Sequence, residues 1–113
     1  MPRLFDERIL IEWRELDALY VIDRLGGYAK RDSSFSPIKA HGTDRYHVSA
    51  NGCDWELLIT GPKFWDTRAA KGGGGAIDLA MHLFGLDFRR ALHLLNTALP
   101  ARSVDLVGRS DVR

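Results

Sequence analysis

The stretch that decides the fold is Ala70-Lys71-Gly72-Gly73-Gly74-Gly75-Ala76-Ile77-Asp78-Leu79-Ala80-Met81-His82-Leu83-Phe84-Gly85-Leu86-Asp87-Phe88. Four glycines in a row have no side chains with which to build a core, so they serve backbone geometry: a tight turn, positive φ, or close approach to another segment. They end abruptly in a helical pattern, with Ile77, Ala80, Met81 and Phe84 at i, i+3, i+4 and i+7. Gly85 interrupts that pattern, Asp87 is a natural N-cap, and Phe88, Ala91, Leu92 and Leu95 repeat the spacing. Two short helices sharing one core are predicted after the glycines.

Upstream, residues 8–25 read as helix, with Leu10, Trp13, Leu16 and Tyr20 on one stripe and Asp17 placed to divide it into two. Gly26-Gly27 ends it, and the polar, Pro- and Gly-containing residues 29–42 read as an irregular loop. The middle is β. Residues 45–50 alternate, Asn51-Gly52 is a strong hairpin signal, residues 53–60 return, and Gly61-Pro62 turns the chain into residues 63–67. The expected fold is therefore α+β: an N-terminal helix or helix pair, a three-stranded antiparallel sheet, and two C-terminal helices. Residues 1–99 form the expected domain, and 100–113, polar and without a stripe, read as a flexible tail or linker.

The quoted stretch resembles the end of the CHC2 zinc-finger domain of bacterial and plasmid DNA primases. In that family a Gly-Gly-Asp-x-Ile-Asp-Phe-x-Met run is followed by aromatic-Gly-Leu-x-Phe and Ala-x-x-Leu-Leu. The corresponding residues here are Gly73 to Met81, then Phe84-Gly85-Leu86-Asp87-Phe88, then Ala91-Leu92-His93-Leu94-Leu95. Val21 to Gly26 resembles the helix before the family's first ligands, so the likeness spans roughly residues 15 to 96, with its specific part in the last third. The ligands themselves are missing. Ser36-Pro37-Ile38-Lys39 stands where Cys-Pro-x-His belongs, and Thr67 and Ala70 stand where a Cys pair belongs. Tetrahedral zinc needs four such donors, and His41, His47 and Cys53 offer no short-spaced pairs. The resemblance thus implies a zinc-less relative, with no metal and no other cofactor.

Composition is consistent with a core built without metal. The 113 residues are 45% hydrophobic, and Trp13, Trp55, Trp65, Phe64, Phe84 and Phe88 are available for it, at about 1.5–3 kcal/mol for each large side chain buried. One cysteine excludes an internal disulfide, no apolar run reaches membrane-spanning length, and a cytoplasmic location is expected. The net charge of +1 carries no nucleic-acid signal of its own.

Alternation puts Cys53, Trp55, Leu57 and Ile59 on one sheet face and Asp54, Glu56, Leu58 and Thr60 on the other, with Arg45, His47, Lys63, Trp65 and Arg68 lining an outer surface. Aromatic and basic groups interleaved on a sheet suit single-stranded nucleic acid, whose bases stack while cations meet phosphates. The resemblance implies template DNA on this sheet. The nucleic-acid-binding candidates are Arg45, Lys63, Trp65, Arg68, Lys71, Gly73 and Gly74. Lys71 and the glycines also suit an anion, although the lysine precedes the glycines and the pattern is no phosphate-binding P-loop. Asp78, near its helix N-terminus, is expected to cap it or to stabilise its dipole, and His82 and His93 to be partly exposed. No nucleophile or paired-carboxylate constellation emerges, so no catalysis is expected. The expected role is DNA binding, with single-stranded DNA as partner, in replication or mobile-element maintenance. The alternative is an interaction module docking on a helicase, relaxase or primase subunit.

Overall fold

A computed structural model describes residues 7–36 and 42–99. The chain runs α1 (Glu7–Arg14), α2 (Ala18–Arg24), β1 (Tyr28–Arg31), β2 (Asp44–Ala50), β3 (Cys53–Thr60), β4 (Lys63–Asp66), β5 (Lys71–Gly74), α3 (Ala76–Phe84) and α4 (Phe88–Ala98). The five strands form one antiparallel meander in sequence order. The class is α+β, as expected from the sequence.

The N-terminal pattern divides at Asp17, whose extended backbone precedes α2 while the Ala18 amide donates to the Gly61 carbonyl at 2.8 Å. That bond ties the start of α2 to the turn between β3 and β4. Asn51 and Gly52 both take positive φ, 53° and 72°, as a tight two-residue hairpin requires. Gly85 closes α3 in the left-handed conformation, and Asp87 caps α4 by accepting the Arg90 amide at 2.8 Å.

Two expectations are corrected and a third is narrowed. The sheet has five strands rather than three. Tyr28–Arg31, which overlaps the start of the expected loop, pairs with β2 because Gly26 at φ 85° reverses the chain directly onto the sheet. Of the geometries open to the glycines, close approach rather than a tight turn accounts for most of the run: Lys71–Gly74 is itself the edge strand, and within the run only Gly75 has positive φ, at 113°. Glycine is permitted in this strand because tertiary contacts demand it. A Cβ on Gly73 would lie 2.6 Å from that of Asp78, and one on Gly72 would overlap the Phe64 carbonyl. Of the first zinc-ligand positions, Pro37, Ile38 and Lys39 lie outside the described residues, as do His41 and residues 100–113.

The helices cover one face of the sheet. Trp13, Val21, Ile22, Val48, Leu57, Ile59, Phe64, Leu79, Leu83, Leu92 and Leu95 form the centre of a single core. On α3 the fully buried stripe is Ala76, Leu79, Ala80 and Leu83, one residue away from the expected one; Ile77, Met81 and Phe84 pack at its margin. Both stripes are apolar, so periodicity alone does not choose between them. Of the aromatics expected inside, Trp13 and Phe64 are buried and Trp55 and Phe84 are half-buried, but Trp65 and Phe88 are exposed. Among the described residues no helix is long and apolar enough to cross a membrane.

Candidate nucleic-acid interface

Opposed residues in an antiparallel ladder point to the same face, so the register assigns each candidate a side. Arg45, Leu58, Trp65 and Gly72 form one row across β2 to β5 on the face away from the helices. Lys30, His47 and Glu56 form a second, and Thr60, Lys63 and Gly74 a third. Trp65 is 46% exposed, although an indole is large enough to bury on either face. Its neighbour explains the placement. A Cβ on Gly72 would lie 2.7 Å from Trp65 Cε3, so the missing side chain is the space that the indole occupies.

The cations around this ring are not equivalent. Arg45 donates from Nε to Asp32 at 3.0 Å, lies 3.2 Å from Glu56, and places its guanidinium 5.1 Å from the centre of the Phe35 ring. Two carboxylates and a ring commit it to pinning residues 32–35 onto the sheet. Asp32 also accepts the Ser34 hydroxyl at 2.6 Å and the Ser34 amide at 2.9 Å, and His47 lies 3.5 Å away. The Ser34 bonds, followed by Arg45, hold the Asp32 carboxyl far below the usual carboxylate range. Arg68, more exposed than the Glu56 it approaches at 3.7 Å, projects from the turn after β4. Lys63 has no carboxylate partner among the described residues.

The fold therefore brings Arg45, Lys63, Trp65, Arg68 and Gly74 to one surface. Lys71 and Gly73 are not part of it. Their partners in the ladder are Asp66 and Phe64, on the helix-facing side, and Lys71 borders an open cleft of about 380 Å³ between β5 and α3. Asp78 lies in the first turn of α3, where its charge suits the helix dipole, but its carboxylate makes no bond to the N-cap residue; it accepts the outward amide of Gly74 at 3.1 Å and so covers the sheet edge.

Beneath Trp65, on the opposite face of β4, lies the pair that sequence reasoning missed. Asp66, 3% exposed, approaches His82 Nε2 at 2.7 Å and accepts the amides of Arg68 at 3.0 Å and Ala69 at 3.1 Å. Burial opposes the Asp66 charge, yet the His82 bond and the two amides outweigh it and hold the carboxyl below its ordinary value. His82, expected to be partly exposed, is largely buried between Trp55 and Phe64, at 5.3 and 5.5 Å between ring centres. One signal was available. In Lys63-Phe64-Trp65-Asp66 the aspartate shares the alternation phase of the buried Phe64, and a core-phase carboxylate needs a partner. Asp66 organises the turn that carries Thr67 and Ala70. Among the described residues no three His, Cys, Asp or Glu side chains are grouped to hold a metal ion.

No protein-family model matches the chain. No solved structure matches it. A "65 kDa protein" of Zymomonas mobilis subsp. mobilis is 51% identical over 41 residues, which are 36% of this chain and 7% of that protein. The chain thus matches only a small part of that relative's length.

Proposed function

We propose that the chain is a non-catalytic module that binds single-stranded DNA on the outer sheet face. The observation that supports this reading is the Trp65 indole, exposed on an open sheet over a side-chain-free Gly72, with Lys63 two residues before it on the same face and Arg68 at its far end. A base stacks on such a ring while the two cations meet flanking phosphates. The sequence resemblance to primase zinc-binding domains suggests replication or mobile-element maintenance as the setting, in the cytoplasm, with Asp66 and His82 holding the turn that zinc would hold in the family.

The same face supports a second reading. Asp32 and Glu56 compensate Arg45 and Arg68, so a largely neutral surface with a central tryptophan also suits docking on a protein such as a helicase, relaxase or primase subunit. Titrating a labelled single strand at low salt separates the two. Binding that weakens with salt and tolerates sequence change, with a loss of roughly 1–3 kcal/mol in Trp65→Ala, supports the first. No binding at high micromolar protein overturns it and leaves the docking module.

A further inference from the structure

The sheet has a second edge at β1, and it is built unlike the β5 edge. The Asp32 amide donates to the Arg45 carbonyl at 2.8 Å, which sets the alternation of the ladder. Tyr28 and Lys30 therefore turn their backbone groups towards β2, and Ala29 and Arg31 turn theirs outward. No strand pairs with these groups among the described residues. Alongside runs an apolar groove of about 280 Å³, lined by Leu19, Ile22, Asp23, Ala29 and Tyr46. Tyr28, at its lip, is 67% exposed, the most exposed of the large hydrophobic side chains described. An open edge with apolar surroundings promotes strand pairing unless it is covered.

We infer that this edge pairs with β1 of a second copy of the chain, antiparallel about a two-fold axis at Ala29, joining two five-stranded sheets into one. Charge selects both the occupant and the register. Centring the axis on Lys30 would set two lysines directly opposite each other, which is destabilising. Centring it on Ala29 sets each Tyr28 opposite Lys30 of the other copy on the outer face, where the ammonium meets the ring. On the helix side it sets Arg31 opposite Gly27, beside Asp23 in the partner's groove. Arg31 already contacts Asp44 at 3.3 Å and remains more than half exposed, so it can serve both carboxylates. The small Ala29 side chain at the axis lets the two grooves meet. Every contact occurs twice, as an isologous interface requires.

Sedimentation equilibrium of the full chain across micromolar to millimolar concentration tests this. A reversible dimer of twice the 12.7 kDa chain mass is expected. Ala29→Pro removes only an outward amide and is expected to give a monomer that still melts cooperatively. Asp23→Lys and Arg31→Glu are each expected to be monomeric alone, and an equimolar mixture to regain a heterodimer, because each altered charge then meets its opposite. A monomer at every concentration, or a dimer indifferent to Ala29→Pro, overturns the inference. If Ala29→Pro fails to fold, the charge-exchange mixture decides: failure to regain the dimer is then the overturning result. None of these substitutions touches Trp65, Lys63 or Arg68, so oligonucleotide affinity can fail independently of self-association.

Discussion

His82 Nε2 lies 2.7 Å from the buried carboxylate of Asp66, and that contact ties α3 to the end of the strand that presents Trp65 on its other face. Asp66 also accepts the two amides that shape the turn into β5. The exposed ring and the buried pair are thus two faces of one four-residue strand, and each constrains the other.

Removing the carboxylate leaves the His82 nitrogen and the two turn amides of Arg68 and Ala69 without their acceptor. Asp66→Ala is expected to destabilise the fold by roughly 1–3 kcal/mol, measured by urea denaturation at neutral pH. An unchanged midpoint would show that the turn holds itself.

Acid should act through the same group. The folded Asp66 carboxyl titrates below its unfolded value, so its stabilisation is complete above the unfolded range near pH 4 and fades as pH falls through the lower folded value. Thermal melts from neutral pH down to pH 3 should show a decline that Asp66→Asn reduces. Parallel decline in both proteins would assign acid sensitivity elsewhere.

The glycines differ in what they do. Gly72→Val forces a Cβ against Trp65 and the Phe64 carbonyl, and a loss of roughly 1–3 kcal/mol is expected. Gly74→Ala meets only Lys63 Cγ at 3.6 Å, without positive φ, and should stay within about 0.5 kcal/mol of the parent. Equal effects at the two positions would mean that flexibility, rather than close packing, explains the run.

Lys63 and Arg45 should separate binding from folding. Lys63→Ala is expected to lower oligonucleotide affinity and its salt dependence while leaving the melting temperature unchanged. Arg45→Ala removes the ties to Asp32, Glu56 and Phe35, and should lower the melting temperature as well. Parallel titrations and melts of the two variants make the comparison.

Chelation should be harmless. With Asp66 and His82 organising the turn, the domain is expected to melt cooperatively and at the same temperature in EDTA as without it. Loss of the transition in chelator would reveal a metal contribution to folding.

Local signals settled much of this architecture. Asn51-Gly52, Gly61-Pro62, Gly85 and Asp87 each force a turn or a cap through their own backbone or side-chain chemistry, so the hairpins and helix ends were legible residue by residue. Alternation in Cys53–Thr60 assigned both faces of the central strand, and from them the outer position of Arg45 and Lys63, but it left Trp65 open between core and outer face. The edge strands were not legible, because Tyr28–Arg31 is short and polar and Lys71–Gly74 lacks side chains; each is a strand only because a neighbour supplies its hydrogen bonds. The same holds for the site. Sequence placed an aromatic among cations, but only the packed structure decided that Gly72 leaves room for Trp65, that Arg45 is bound by Asp32 and Glu56, and that Lys71 faces the helices. Turn and cap preferences reside in single residues, whereas edge pairing, ion pairing and burial depend on residues far apart in the chain, and only folding brings those together.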